Sequence, residues 1–116
     1  SGGTRIGTAL EELLERHGAL FDRRTVLVIH SDGWDTGELA RLQQAMRSLH
    51  ERSHHLLWLN PLAASPGYAP LASGMRAAWP YLDTFAAAHD LESLRALARR
   101  LPRRAAGRSF GSRGWP

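Results

Sequence analysis

The sequence predicts a three-layer α/β domain, Rossmann-like, in which about three parallel strands are flanked by helices. Two runs, at 25–29 and 56–59, are continuously apolar or β-branched, as expected for strands buried on both faces of a parallel sheet. Segments with helical spacing separate them, which gives the order α-β-α-β-α-β-α. Strands joined through helices require right-handed crossovers, and these place helices on both faces of the sheet.

The first helix and the first strand are the best marked elements. Gly18 ends the helix, and the first strand, 25–29, runs into a polar loop at 30–36. The helix is predicted from apolar positions that recur every three or four residues: Ile6, Ala9, Leu10, Leu13, Leu14 and His17.

The second helix is predicted to begin at a cap formed by Asp35 or Thr36, with Glu38 in its first turn. The second strand, 56–59, ends at Asn60-Pro61. The core side of the second helix is formed by residues spaced three and four apart, Leu39, Leu42, Met46 and Leu49.

The C-terminal half is less regular. A Pro- and Gly-rich loop at 63–70 precedes a short helix at 71–79, which Pro80 stops, and a third strand at 81–85. Asp90 is predicted to cap the last helix. Its core side carries Leu91, Leu94, Leu97, Ala98 and Leu101. The folded domain is therefore expected to span 1–101, and the Arg/Gly-rich segment 102–116 to be a disordered tail.

Composition limits the possible functions. The 116 residues include 43% hydrophobic ones, enough for one core. The absence of cysteine excludes disulfides, zinc–thiolate sites and thiol catalysis. No apolar stretch reaches the roughly 18 residues that cross a bilayer, and no signal peptide opens the sequence, so we expect a cytoplasmic protein without membrane association. The net charge of +4 comes largely from tail arginines and is weak evidence for nucleic-acid binding.

Four segments carry a family resemblance. The run His-Ser-Asp-Gly-Trp-Asp-Thr-Gly at 30–37, with the strand before it, resembles the strand and metal loop of a von Willebrand factor A (VWA) domain, closest to the bacterial CoxE-like branch. The segments 2–7 and 58–62 resemble that family's threonine segment and following strand. Residues 66–68 and 74–78, with Asp83, resemble the stretch that leads to its last strand. The resemblance covers roughly 2–101.

The resemblance implies a metal-dependent binding module rather than an enzyme. In that family a divalent cation, usually Mg²⁺ and in some cases Mn²⁺, is bound in a metal-ion-dependent adhesion site. By motif match its ligands here are Thr4 and Asp32, with Ser31, Trp34 and Asp35 around them for partner binding. The implied partners are a MoxR-type AAA+ ATPase and a client metalloenzyme whose maturation the pair assists.

The sequence also departs from the family pattern. In that family an Asp-x-Ser-x-Ser motif supplies further metal ligands, and this sequence contains no such motif. The sequence begins at the threonine segment, so it matches only the C-terminal part of a VWA domain. Two oxygen ligands would bind Mg²⁺ weakly, because the ion gives up its water reluctantly. We therefore expect little metal on this chain alone. We also expect the strand 25–29 to lack a neighbour and to expose an apolar edge that favours aggregation or dimerisation.

Other interpretations of the same residues remain open. Asp32-Gly33 could be a simple turn, and Thr4 could cap the first helix. Ser31 and Asp35 could act only as loop hydrogen-bonding and capping residues, and Trp34 could pack over a helix. A small hydrolytic or phosphotransfer enzyme using Asp32 is the alternative function, and nucleic-acid binding through the tail ranks last. A zinc site from the histidines at 50, 54 and 55 is disfavoured, because adjacent strand residues point to opposite faces.

Overall fold

The computed structural model of the chain describes residues 5–34, 37–87 and 91–100. Within these ranges the predicted alternation of helix and strand is confirmed, with short 3₁₀ turns between some elements. The elements are α1 (Ile6–His17), β1 (Val26–His30), α2 (Leu39–Arg52), β2 (His55–Leu59), α3 (Ser73–Ala78), β3 (Thr84–Ala86) and α4 (Leu91–Ala98). Thr4, Asp35, Asp90 and the predicted tail lie outside the described residues.

The three strands form one parallel sheet in the order β1-β2-β3. Val28 of β1 pairs with Leu57 of β2, which in turn pairs with Thr84 of β3. Every residue of β2 is buried, as predicted for a strand inside a parallel sheet. The sheet and its helices confirm the α/β class.

Strand β1 differs from the prediction that it is buried on both faces. Val26 and Val28 are 40% and 37% exposed, whereas Ile29 is buried. The physical reason is that β1 is an edge strand of the described sheet, and that the core cluster covers only the face bearing Leu27 and Ile29. Among the described residues, β1 therefore has a neighbouring strand on one side only.

The hydrophobic core lies between one face of the sheet and the first three helices. Trp58 and Phe85 are fully buried at its centre. Helices α1 and α2 approach closely at Gly7, where an added Cβ would lie 2.7 Å from the Leu42 amide nitrogen. This packing fixes the position of α2 against α1.

Several element boundaries differ from the predicted ones. Helix α2 begins at Leu39, with Glu38 at the N-cap position, so the capping role predicted for Asp35 or Thr36 is wrong. The N-cap position of α1 falls on Arg5, which removes the support for a capping role of Thr4. Strand β3 starts at Thr84 because the preceding segment forms a 3₁₀ turn around Pro80, which has no N–H to donate to a ladder.

No helix within the described ranges is long and apolar enough to span a membrane.

Candidate functional site

The loop that follows β1 places Asp32 at the carboxyl end of the sheet, where ligands bind in open α/β folds. The Asp32 side chain is exposed. Its Oδ1 accepts a hydrogen bond of 2.9 Å from the Trp34 amide, which closes a short turn. The carboxylate is therefore held by its own loop and presented to solvent.

Ser31 connects this loop to the sheet. Its amide donates to the Leu59 carbonyl at 3.0 Å, and its own carbonyl accepts from the Trp58 indole Nε1 at 2.9 Å. The Ser31 hydroxyl accepts a hydrogen bond from the Gly33 amide at 3.1 Å. Ser31 thus lies beside Asp32, as predicted, and its hydrogen bonds to β2 fix the backbone position of the neighbouring Asp32.

Gly33 shows that Asp32-Gly33 is more than a simple surface turn. Its φ of 81° lies in the left-handed region, and the residue is buried. An added Cβ would lie 2.2 Å from Cγ and 2.6 Å from Sδ of Met75 in α3. The turn is therefore packed into the domain, and only glycine satisfies both its backbone angle and its space.

Asn60 is a residue of this site that the sequence analysis treated only as the end of a strand. It is fully buried, and its Nδ2 donates to the Asp32 carbonyl at 3.2 Å and to the Tyr68 hydroxyl at 2.8 Å. Its Oδ1 accepts from the Leu62 amide at 2.9 Å. One side chain therefore ties together the loops that follow β1 and β2. The only sequence signal is a polar residue directly after a buried strand.

Tyr68 is the second residue that the sequence analysis did not assign to the site. Its ring stacks on Phe85, with centroids 6.4 Å apart. Burial raises the pKa of the Tyr68 phenol, and the negative charge of Asp32 raises it further. The hydroxyl therefore stays protonated at neutral pH, within electrostatic reach of the Asp32 carboxylate.

Trp34 is 67% exposed, and Leu62, which follows β2, is also exposed. This exposure disagrees with the alternative that Trp34 packs over a helix. The structure thus brings Ser31, Asp32 and Trp34 together in one loop at the end of the sheet. The other two predicted site residues, Thr4 and Asp35, lie outside the described ranges.

The oxygen ligands in this loop are of the type that a hard cation prefers, but they are too few to hold one. Carboxylate and hydroxyl oxygens are the donors that Mg²⁺ and Mn²⁺ prefer. Within the part of the chain that the structure describes, however, no three His, Asp or Glu side chains are placed to hold a metal ion. Asp32 can therefore be one ligand of such a site, and further ligands must come from elsewhere.

His50 and His55, two histidines of the disfavoured zinc site, lie away from this loop. His55 is buried, and its Nε2 lies 2.7 Å from the Thr84 hydroxyl at the start of β3. His50 Nδ1 lies 3.0 Å from the Tyr81 carbonyl. Both therefore make structural contacts near the amino ends of β2 and β3, at the opposite end of the sheet from Asp32.

Comparison with known proteins identifies the family. No curated protein and no solved structure matches the chain. The family model described as "VWA domain containing CoxE-like protein" matches residues 1–94, most of the 116-residue chain. Together with the parallel sheet and the loop at its carboxyl end, this match shows that the chain belongs to the CoxE-like family of VWA domains.

Proposed function

We propose that this chain is a protein-binding module in which Asp32 and Thr4 help to hold a divalent cation, Mg²⁺ or Mn²⁺, that captures an acidic side chain of a partner. In this proposal the chain is not an enzyme. The observation that carries it is the Asp32 loop at the carboxyl end of the parallel sheet. There the exposed carboxylate accepts a hydrogen bond from the Trp34 amide, and Asn60 holds the Asp32 backbone carbonyl.

A rigid loop matters for a weak site. Mg²⁺ binds proteins through few carboxylates and keeps several water molecules, so each ligand must be in position before the ion arrives. The contacts that fix Asp32 in the metal-free chain reduce the conformational entropy that the loop would lose when the ion binds. The bound cation would supply a positive charge with an exchangeable water, and a carboxylate from a partner could replace that water.

The proposed partners are a MoxR-type AAA+ ATPase and a client metalloenzyme in the cytoplasm. We propose them because the chain belongs to the CoxE-like family, whose members the resemblance pairs with such an ATPase. Trp34, two residues after Asp32, and Leu62, in the segment after β2, are both exposed, and these exposed apolar side chains support a protein partner rather than a small molecule. Aromatic side chains at the centre of an interface commonly contribute much of the binding energy.

The test is manganese binding to the chain and to an Asp32→Asn variant. Asparagine keeps an oxygen for the Trp34 amide but loses the charge, so the loop should stay intact while the metal affinity falls. Paramagnetic broadening of amide NMR signals by Mn²⁺ detects binding in the millimolar range, and we expect it at 31–34 in the wild type and not in the variant.

Asp22→Asn is the matched control. Asp22 is an exposed aspartate whose Oδ1 also accepts a turn hydrogen bond, from the Arg24 amide at 2.8 Å. Its replacement should leave the broadening at 31–34 unchanged. Equal broadening around Asp22 and Asp32 in the wild type, or none at 31–34, would show that Asp32 is not a metal ligand.

A further inference from the structure

The connection between β2 and α3, residues 60–72, is an ordered surface segment beside the proposed metal loop. Backbone hydrogen bonds close its turns, from the Ser65 amide to the Leu62 carbonyl at 3.0 Å and from the Tyr68 amide to the Ser65 carbonyl at 3.1 Å. Ala63 is fully buried and anchors the segment to the core. The segment therefore has a defined shape before any partner binds.

This connection exposes large apolar side chains. Leu62 is 49% exposed and Leu71 is 72% exposed. Smaller apolar residues of the same segment are exposed as well, namely Pro61, Ala64, Pro66 and Ala69. Apolar residues concentrated on one exposed segment mark an interaction site, whereas single scattered ones do not. The connection is therefore suited to contact with a protein.

The charges around this connection favour an acidic partner. From 53 to 82 the sequence contains no acidic residue, and its one arginine is Arg76. Arg76 is exposed on α3, and its amide bonds to the Ala72 carbonyl, at the end of the connection, at 3.0 Å. A nucleic acid requires several basic residues along its phosphates. One positive charge among apolar side chains instead fits a protein segment that is both apolar and acidic.

Asn60 joins this connection to the proposed metal loop. Its side chain accepts a hydrogen bond from the Leu62 amide at 2.9 Å and donates one to the Asp32 carbonyl at 3.2 Å, so a single side-chain amide separates the two. The Tyr68 ring stacks on Phe85 of β3. The connection therefore lies on the β3 side of Asp32, and not at the outer edge of β1.

We propose that Leu62, Leu71 and Arg76, together called the connection surface, bind the residues that flank the acidic side chain captured at Asp32. This inference rests on the proposed metal site, and it specifies the partner as a protein segment with a carboxylate beside large apolar residues. The carboxylate replaces a water molecule on the cation, and the neighbouring apolar side chains cover Leu62 and Leu71. Because both contacts lie on one segment, each raises the effective concentration of the other.

The test is selection of a displayed library of short random peptides on the chain in Mn²⁺ buffer. We expect peptides in which an acidic residue lies within a few positions of large apolar ones. The double variant Leu62→Ser with Leu71→Ser should bind a selected peptide roughly tenfold more weakly or worse, because two apolar contacts are lost. Arg76→Gln should weaken binding a few-fold.

Leu20→Ser is the matched control, because Leu20 is a 74% exposed leucine outside the connection surface. Its replacement should leave the affinity for the peptide unchanged. Circular dichroism confirms that each variant is folded. A selection that yields no binder, or only peptides that lack large apolar residues, overturns the proposal. Self-association of the chain that the double serine variant abolishes would identify a second copy as the occupant and would also overturn it.

Asp32→Asn and removal of Mn²⁺ by a chelator separate this inference from the proposed function. Peptide binding that is lost in Asp32→Asn but kept in the double serine variant supports the metal site and overturns the connection surface. Binding that depends on Leu62 and Leu71 but survives both the chelator and Asp32→Asn supports the apolar contacts and overturns capture by a metal. Loss of binding in both variants supports the proposal in full.

Discussion

Gly33 is the residue on which the position of Asp32 most depends. Gly33→Ala forces a side chain into a left-handed backbone and drives its Cβ into Met75. We expect the free energy of unfolding to fall by about 3 kcal/mol, from strain and overpacking together. Urea denaturation followed by circular dichroism measures the loss.

Gly67→Ala separates the two contributions of this prediction. Gly67 has a φ of 75° but no atom within 4 Å of an added Cβ, so its replacement should cost only about 1 kcal/mol. If both substitutions cost the same, packing of Gly33 against Met75 contributes nothing to the rigidity of the Asp32 loop.

Asn60 and Tyr68 show where prediction of the site stops. Ser31, Asp32 and Trp34 are consecutive or nearly so, and their common loop could be predicted from the sequence. Asn60 reaches the Asp32 carbonyl across 28 positions of sequence, and the contact exists only because β1 and β2 are neighbours. An asparagine after a strand looks the same in the sequence whether it caps a turn or joins two loops.

Strands β1 and β2 show the same limit of prediction at the scale of whole elements. Both are apolar runs of similar length, and the sequence predicted both as buried strands. The structure buries every residue of β2 and exposes Val26 and Val28 of β1. An apolar run identifies a strand, but the number of its neighbours depends on the order of strands in the sheet. The alternation of elements was therefore predictable, whereas the burial of β1 was not.

Helices α1 and α2 depend on Gly7 for their close approach. Gly7→Ala places a Cβ 2.7 Å from the Leu42 nitrogen and 3.0 Å from its Cα, and these backbone atoms cannot rotate away. Alanine favours the helix by about 1 kcal/mol, but overpacking costs about 1–3 kcal/mol. We expect a net loss of about 1 kcal/mol, measured as a lower midpoint in urea.

Thr8→Ala is the control for helix propensity. Thr8 is exposed in the same helix, so its replacement should stabilise the chain by a few tenths of a kcal/mol, roughly the difference in propensity. A Gly7→Ala variant that is stabilised to the same degree or more would show that the crossing of α1 and α2 can widen without cost.

At the scale of the whole molecule, metal binding at Asp32 is linked to folding. Asn60 holds the Asp32 carbonyl across 28 positions of sequence, and this contact exists only in the folded chain. A cation that needs Asp32 in this position therefore binds the folded state in preference to the unfolded one, and it stabilises the fold.

The measurement of this linkage is the free energy of unfolding in urea, with and without Mn²⁺. At a manganese concentration about ten times the dissociation constant, we expect the wild type to gain about 1.4 kcal/mol. Asp32→Asn keeps an oxygen for the Trp34 amide but loses the charge, so it should gain much less. An equal gain in both proteins would show that manganese stabilises the chain at a place other than Asp32.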